Sequence, residues 1–258
     1  MLHPIQEGYV KVEPQSSGIT VIEFFHPRSN SLPAAILNDL AQEIHSVGLQ
    51  KDTKVIILRA AGNGAFCAGA SFSELNAIKT ADEGKKFFGG FAHVINAMRK
   101  CPKLIIARIH GKCVGGGVGL AAAADYAVAV PEAEIKLSEL SIGLGPFVVG
   151  PAIQRKLGLS AFSQLAIDAT MWRPADWARR KGLYAELHPN TEDMDESVQR
   201  LANELAHSDT QAIAAMKQML WEGTENWDEL LTQRAAISGK LVISTFTKAA
   251  LERLQKKE

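Results

Sequence analysis

The first fifty residues switch between strand-like and helix-like patterns of apolar side chains. Two apolar, β-branched runs at residues 9–13 and 19–25 flank the turn residues Gln15 to Gly18, and this arrangement predicts a β-hairpin. Residues 33–47 then place apolar side chains three and four positions apart, which predicts an amphipathic helix. The fold is therefore expected to start with a strand pair followed by a helix.

The middle of the chain repeats this alternation with shorter and more apolar strands. Residues 55–60 and 104–109 are almost continuously apolar, which is typical of strands buried on both faces, and the region between them is helical in pattern. Strands at 126–130 and 134–137 follow a short alanine-rich helix at 118–124. Alternating strands and helices predict a mainly parallel sheet covered by helices, so the expected fold class is α/β.

The last third of the chain is almost wholly helical in pattern. An N-cap signal at residues 208–210 and a stop at Gly223 delimit one helix, and a last helix is predicted over 227–257. The last helix carries six large apolar residues, more than one exposed helix normally presents: Leu230, Leu231, Ile237, Leu241, Ile243 and Phe246. We therefore expect it to pack between subunits, and divide the chain into a core domain, 1–195, and a C-terminal helical oligomerisation region, 196–258.

Length, charge and cysteine content exclude several classes of function. A chain of 258 residues is long enough to bury a substantial core without a metal or a disulfide. Lys plus Arg equals Asp plus Glu at 28 each, so the summed charge offers no general attraction for nucleic acid or an anionic membrane. The three cysteines lack C-x-x-C spacing, which argues against a disulfide framework and a zinc site. Residues 1–10 lack the apolar run of a signal peptide, and we expect a cytoplasmic protein.

Two glycine-punctuated segments carry the candidate chemistry. Each of them, residues 66–71 and residues 115–119, falls between a strand-like run and a helix-like run. Backbone N–H groups at a helix start are unpaired, and the helix dipole there favours negative charge. Two such amides aimed at one point would form an oxyanion hole able to hold an enolate. Ser71 and Glu74 have the spacing of a capping box, which predicts a helix start just after Ala70.

A dinucleotide site is the alternative interpretation of the second segment. Residues 117–122 match G-x-G-x-x-A, and acidic Glu139 lies about twenty residues further on. The placement argues against this interpretation, because the preceding strand is predicted to end at Ile109, several residues too early. The motif also arrives after a third of the chain instead of in an opening β-α-β unit.

Together the two segments resemble the enoyl-CoA hydratase/isomerase superfamily, the crotonases. Phe66-Cys67-Ala68-Gly69-Ala70 is similar to the family's F-x-A-G-A motif, and residues 109–117 are similar to its strand-to-helix G-x-x-x-G-G-G element. Residues 26–32 resemble its proline-to-asparagine loop. The resemblance covers nearly the whole chain and implies a crotonase (ClpP-like) fold. Such a fold has repeated ββα turns, a mainly parallel sheet core and a C-terminal helical trimerisation region, in a homotrimer or a dimer of trimers.

The same resemblance implies a substrate class and a site. The carbonyl oxygen of an acyl-CoA thioester would lie between the amides of Ala70 and Gly116, and coenzyme A would enter with the substrate instead of staying as a bound cofactor. Residues 138–146 resemble the family segment that bears a catalytic glutamate, and Glu139 occupies its position. A carboxyl in an apolar pocket has a raised pKa, which suits proton transfer. The residues alone also fit a solvated glutamate at a strand end.

For coenzyme A itself, the resemblance implies a small set of contacts. Arg28 is the candidate for the phosphates, and the backbone of Phe66 to Ala68 is expected near the adenine. Phe246 and Lys248 are expected to contribute from a neighbouring subunit. Each cation is also an ordinary surface residue in type.

Three positions depart from the family pattern. Gly119 stands where typical hydratases carry a second glutamate, which leaves the single base of a double-bond isomerase and suggests open space beside the acyl chain. Residues 147–151 replace a glycine-rich turn and make the pocket more apolar. Ser71 replaces an aspartate, as in relatives that decarboxylate glutaconyl-type thioesters with a lysine of the following helix. Three lysines are available for that role: Lys79, Lys85 and Lys86.

The expected function is therefore that of an acyl-CoA-processing enzyme of the hydratase/isomerase type with one glutamate as acid and base. His93, near Phe87 and Phe91 in sequence, is either a core histidine or a second acid or base from a helix that lines the pocket. Decarboxylation of a glutaconyl-type thioester and non-catalytic acyl-CoA binding are the alternatives.

Overall fold

The computed structural model describes residues 8–255. The strands are β1 Tyr9–Pro14, β2 Ile19–Phe25, β3 Val55–Ala60, β4 Leu104–Ile109, β5 Cys113–Val114, β6 Tyr126–Ala129, β7 Ile135–Lys136 and β8 Glu186–Leu187. The α-helices are α1 Ala34–Leu49, α2 Phe72–Ala77, α3 Ala81–Lys100, α4 Gly116–Ala123, α5 Gly150–Ile167, α6 Ala175–Arg180, α7 Thr191–Ala206, α8 Thr210–Leu220, α9 Trp227–Val242 and α10 Thr245–Gln255. Short 3-10 turns cover Ser16–Gly18 and Glu139–Ile142.

The strands form one large sheet and one small one. The large sheet has the order β1-β2-β3-β4-β6-β8, in which β1 pairs antiparallel with β2 and the remaining neighbours are parallel. The small sheet pairs β5 with β7 in parallel. The prediction of a mainly parallel α/β fold with an opening hairpin is confirmed, and β3 and β4 have the predicted bounds.

Helices cover both faces of the large sheet, because successive side chains of a strand point to opposite faces. From β2, Ile22 and Phe24 enter the larger core, which also contains the buried faces of α1 and α3. Ile19 and Val21 enter a second cluster together with Met194 and other residues of α7. Helix α7 therefore packs on the sheet, and the division at residue 195 falls inside this helix.

The second half of the chain differs from prediction in three respects. Helix α5 begins at Gly150, ahead of the predicted helical region, and β8 adds a short strand to the sheet edge. The prediction of one last helix over 227–257 is wrong, because the chain breaks between α9 and α10. The side chain of Ser244 accepts a hydrogen bond from the Thr247 amide at 3.2 Å, as an N-cap residue does at a new helix start. The predicted end at Lys257, like most of the segment 1–10, lies outside the described residues.

Part of the apolar surface of the last two helices is used within the chain. Helices α3 and α9 approach so closely that a Cβ on Gly239 would lie 2.4 Å from the carbonyl oxygen of Ala81. Leu231 of α9 is fully buried. Three of the six apolar residues remain exposed: Ile237, Ile243 and Phe246. Packing between subunits stays a prediction that these three residues motivate.

A buried ion pair ties α8 to the sheet. The Lys217 side chain is 2% exposed, and its ammonium donates to Asp125 Oδ2 and to the Lys103 carbonyl, both at 2.8 Å. The same carboxylate accepts from the Ile105 amide at 2.7 Å and from the Trp221 indole at 3.2 Å. Both charged groups of the pair are therefore hydrogen-bonded, as the burial of charge requires.

We expect Lys217→Met to lower the free energy of unfolding by about 3 to 5 kcal/mol, because it leaves the Asp125 carboxylate buried without its counter-charge. Chemical denaturation followed by circular dichroism measures the change. The double variant with Asp125→Asn is expected to recover part of the loss, since no unpaired charge then remains.

The exposed pair between Lys100 and Asp228 is the matched control for this measurement. Its atoms are 2.5 Å apart, but both side chains are 55% exposed. Asp228→Asn should therefore change the free energy of unfolding by less than about 1 kcal/mol. Equal losses in the two variants would contradict a special role of the buried pair.

Candidate active site

The first glycine segment leaves the amide of Ala70 without a hydrogen-bond partner among residues 8–255. On either side of Ala70, the Gly69 carbonyl accepts from the Leu32 amide at 2.7 Å and the Ser71 amide donates to the Leu32 carbonyl at 3.1 Å. Successive N–H groups of an extended chain point in opposite directions, so the Ala70 N–H points away from Leu32. Gly69 adopts a φ of +88°, in the region that favours glycine.

The second glycine segment lies directly against the first. Cys67 forms a parallel bridge with β5, and a Cβ on Gly117 would lie 2.4 Å from the Cys67 carbonyl oxygen. A Cβ on Gly69 would lie 3.5 Å from the Gly116 nitrogen. Because Gly116 is the first residue of α4, its N–H has no partner within the helix. The start of α4 therefore lies beside the residue that precedes Ala70.

Ala70 and Gly116 both line one cavity of about 250 Å³. Aromatic and aliphatic side chains form most of its wall, among them Phe72, Phe88, Phe91, Phe147 and Val149. Five residues with polar side chains also line it: Lys136, Ser138, Glu139, Ser141 and Ser238. The arrangement is an apolar pocket with a few polar groups, which is typical of sites for small organic molecules.

Glu139 begins a 3-10 turn at the wall of this cavity. A Cβ on Gly115 would lie 2.8 Å from Glu139 Oε1, so the carboxyl group lies against the residue that precedes Gly116. Its Oε2 is buried and has no hydrogen-bond partner in the described part of the chain. Burial raises the pKa of Glu139 to about 7, since the low-polarity surroundings disfavour the charged form. Both protonation states are therefore populated near neutral pH, as an acid–base residue requires.

The first turn of α10 supports the turn that carries Glu139. A Cβ on Gly143, which ends that turn, would lie 2.6 Å from Phe246 Cδ1. The Lys248 ammonium donates to the carbonyls of Asn76 at 3.1 Å and Ile78 at 2.5 Å, at the end of α2. Phe246 and Lys248 thus contact α2 and the turn within the same chain. Their contact with coenzyme A stays a prediction.

The other residues predicted to contact coenzyme A are Arg28 and the segment from Phe66 to Ala68, of which only Ala68 is among the residues that line the cavity. The Arg28 side chain is exposed and has no ion-pair partner in residues 8–255. Its loop is held by Asn30, which donates to the Ala61 and Ala65 carbonyls at 2.9 Å. The Phe66 side chain is fully buried, so only its backbone is available, and Ala68 lines the cavity.

The space predicted beside Gly119 does not exist. A Cβ on Gly119 would lie 2.6 Å from Cγ1 of Val149, which itself lines the cavity. The prediction is wrong because the apolar 147–151 segment fills the volume that a side chain at 119 would occupy. Among the described residues of the wall, only Glu139 carries a carboxyl group. The two departures from the family pattern are therefore in direct contact.

The capping box predicted at Ser71 is absent, although α2 begins at the predicted place. Ser71 Oγ makes no cap hydrogen bond and instead contacts Ser73 Oγ at 3.1 Å. Glu74 Oε2 accepts from the amide of Ala34, the first residue of α1, at 2.8 Å. The Glu74 carboxylate thus accepts a hydrogen bond at the start of another helix, α1. The first amides of a helix have no partner within it, and the helix dipole there favours negative charge.

His93 lies on the opposite side of α3 from the pocket. Phe87 and Phe91 are buried, whereas His93 is exposed and does not line the cavity. Both interpretations of His93 are wrong, because residues two positions apart on a helix do not share a face. The three lysines considered for decarboxylation are also exposed and outside the cavity wall: Lys79, Lys85 and Lys86.

Two features of the cavity were missed by the sequence analysis. The contact between Gly119 and Val149 joins positions thirty residues apart and leaves no local signal. Lys136 had a signal, since strand alternation places it on the opposite face from the buried residues Ile135 and Leu137.

Comparison with known proteins identifies the family. The sequence profile described as Enoyl-CoA hydratase/isomerase matches residues 14–255. The chain belongs to this family. The crystal structure of enoyl-CoA hydratase from Bacillus halodurans aligns with a TM-score of 0.86 over 95% of this chain and 99% of that chain, at 23% identity. The structural likeness confirms the crotonase fold.

The curated relatives carry out different reactions. A (7aS)-7a-methyl-1,5-dioxo-2,3,5,6,7,7a-hexahydro-1H-indene-carboxyl-CoA hydrolase of Mycobacterium tuberculosis is 29% identical over 79% of this chain and 80% of the relative. Ethylmalonyl-CoA decarboxylase of Gallus gallus is 28% identical over 61% of this chain and 53% of the relative. The protein is thus an acyl-CoA-processing enzyme of the crotonase superfamily, whose members use coenzyme A thioesters as substrates.

The described part of the chain offers neither a metal site nor a membrane-spanning helix. Residues 8–255 contain no group of three or more His, Cys, Asp or Glu side chains placed to hold a metal ion. They also contain no helix of the length and apolar character needed to cross a membrane.

We expect Glu139→Gln to remove a pH-dependent loss of stability. Because the folded state raises the pKa of Glu139 from 4.5 to about 7, folding becomes less favourable as pH rises between those values. The full effect above pH 7 is on the order of 3 kcal/mol. Denaturant unfolding at pH 5 and pH 8 measures it. The wild type should lose more stability over this interval than the variant, and equal losses would contradict the assigned pKa.

We expect Gly119→Ala to destabilise the protein by about 1 to 3 kcal/mol, because the added methyl overlaps Val149. In a Val149→Ala background the same change should be close to neutral, since the overlap is removed. Thermal unfolding measures both. Gly89→Ala is the matched control, because Gly89 lies in α3 with nothing within 4 Å of its Cβ position, and alanine should stabilise that helix. A loss at Gly119 that persists without Val149 would refute the steric explanation.

Proposed function

We propose that this enzyme moves a carbon–carbon double bond in an acyl-CoA thioester. The amides of Ala70 and Gly116 hold the thioester oxygen, and Glu139 is the single acid and base. The observation that carries the proposal is the cavity wall, in which one buried carboxyl group lies beside the two glycine segments and no second carboxyl group faces it among the described residues.

The chemistry requires the two amides because a thioester loses its α-proton only if the resulting enolate oxygen is stabilised. Loss of one donor from such an oxyanion hole typically lowers the rate by about 100- to 1,000-fold. Backbone amides suit this task, since they are rigid and do not titrate. In the proposed reaction, ionised Glu139 removes the α-proton of a β,γ-unsaturated thioester, and the electron pair enters a dienolate.

The same carboxyl group then completes the reaction. Protonated Glu139 returns its proton to the γ-carbon, which leaves the double bond between the α- and β-carbons and regenerates the carboxylate. No water is consumed, and atoms and charge balance. A pKa of about 7 favours this reversal of roles, because neither protonation state is strongly preferred.

Isomerisation accounts for the cavity better than hydration does. Addition of water requires a polar group that holds the water molecule opposite the reacting carbon. At position 119 the chain has no side chain, and Val149 presents hydrocarbon to the cavity there. Decarboxylation with a helix lysine has no support, since Lys79, Lys85 and Lys86 are exposed and outside the wall.

We also propose how coenzyme A binds and how the subunits assemble. The phosphates of coenzyme A would contact Arg28, and its adenine would lie near the backbone of Phe66 and Ala68. Phe246 and Lys248 would border the same path. We propose that the protein assembles as a homotrimer or a dimer of trimers through the helical region 196–258, with contacts between exposed apolar side chains such as Ile237. Its proposed location is cytoplasmic.

We expect a 3-enoyl-CoA incubated with the enzyme in ¹⁸O-labelled water to become a 2-enoyl-CoA without ¹⁸O. Mass spectrometry of the products measures the label, and the shift of absorbance measures the double bond. Hydroxyacyl-CoA carrying ¹⁸O as the main product would overturn isomerisation in favour of hydration.

Glu139→Gln is expected to lower kcat by about 100-fold or more while acyl-CoA binding is largely kept. The exposed Glu132→Gln is the matched control, since Glu132 lies outside the cavity wall, and its kcat should not change.

In the wild type, kcat/KM should fall as pH decreases through about 7, because the ionised carboxylate is the base. Full turnover by Glu139→Gln would refute the assigned base, and no turnover by the wild type would favour a non-catalytic binding protein.

A further inference from the structure

Lys136 lies on a face of the small sheet that borders the cavity. In the parallel pairing of β5 and β7, Lys136 is opposite Val114, and both residues line the cavity. The adjacent Ile135 points to the other face and is fully buried. Because paired residues of neighbouring strands share a face, the Lys136 side chain leaves the backbone on the cavity side.

The charge of Lys136 is not neutralised within the described chain. The neighbouring Lys112 forms an ion pair with Glu134 at 3.0 Å, whereas no carboxylate of residues 8–255 lies within ion-pair distance of Lys136. Both ammonium groups lie over the ring of Trp172, at 4.6 Å from its centroid for Lys112 and 5.4 Å for Lys136. The aromatic ring holds the Lys136 ammonium in place without neutralising it.

Lys136 does not act on the base of the proposed reaction. Burial raises the pKa of Glu139, and no neighbouring positive charge offsets it. No ion pair joins the Lys136 ammonium to the Glu139 carboxyl group in the described part of the chain. Glu139 is the one acidic residue among the described residues of the wall. The half-buried Lys136 at this mostly apolar wall thus has no ion-pair partner among residues 8–255.

We propose that Lys136 binds a carboxylate carried by the acyl group, so that the substrates are coenzyme A monothioesters of short unsaturated dicarboxylic acids. This inference rests on the proposed function in one respect, which is that an acyl-CoA binds in the cavity. Lys136 and Glu139 are three residues apart, a separation of at most about 11 Å between their Cα atoms. An acyl chain of about four to six carbons whose α-carbon lies at Glu139 would bring its terminal carboxylate towards Lys136. A carboxylate there supplies the missing charge and forms a charge-assisted hydrogen bond.

Calorimetric titration with two saturated thioesters tests this inference without turnover. Glutaryl-CoA carries the terminal carboxylate, and its methyl ester has the same carbon chain without the charge. At pH 6, Glu139 is mostly protonated and does not repel the ligand. We expect the wild type to bind glutaryl-CoA more tightly than the methyl ester by about tenfold or more.

Three variants separate a binding role from a structural one. Lys136→Met should abolish the preference for glutaryl-CoA and leave the affinity for the methyl ester unchanged, and Lys136→Arg should retain the preference. Lys112→Met is the matched control, because Lys112 contacts the same tryptophan but lies outside the cavity wall, and the preference should persist.

The inference is overturned if the wild type binds both thioesters equally, if neither binds, or if Lys136→Met weakens both to the same extent. Its failure is distinguishable from failure of the proposed isomerisation. A preference for glutaryl-CoA that disappears in Lys136→Met supports the carboxylate site even if no double-bond migration is detected.

Discussion

The close approach of two backbone segments without side chains is the constraint on which the site depends. At Gly117 a Cβ would lie 2.4 Å from the Cys67 carbonyl oxygen, and at Gly69 it would lie 2.9 Å from the Val114 carbonyl oxygen. Only hydrogen fits at either position. Because both segments end at the start of a helix, this contact brings two strand-to-helix turns, and the unpaired amides of Ala70 and Gly116, to the wall of one cavity.

The rest of the cavity is arranged around that contact so that very few polar groups face its interior. Phe91 packs on Gly116, where a Cβ would lie 2.1 Å from the ring, and Val149 occupies the volume beside Gly119. In such surroundings each remaining charge has a large effect, since low polarity disfavours ionisation and strengthens electrostatic attraction. The raised pKa of Glu139 follows from this hydrocarbon wall.

The helical half of the chain supports the site from outside. Helix α10 packs on Gly143 at the end of the turn that carries Glu139, and Lys248 binds the carbonyls at the end of α2. Helix α8 is held to the sheet by the Lys217 ion pair. These contacts join parts of the chain about one hundred residues or more apart, so the cavity depends on the folding of the whole domain.

Local patterns in the sequence determined the α/β class, the bounds of β3 and β4 and the helix starts at the two glycine segments, whereas Glu139 became the candidate base only through the resemblance to the crotonases. These features depend on periodicity and backbone chemistry within a few residues. Helical periodicity by itself places His93 away from the buried Phe91. The partner of Glu74, the β8 strand and the filling of the Gly119 space by Val149 were decided by tertiary structure. Each depends on a contact between distant segments, which compete for the same volume or the same unpaired amide, and no local pattern records the outcome of that competition.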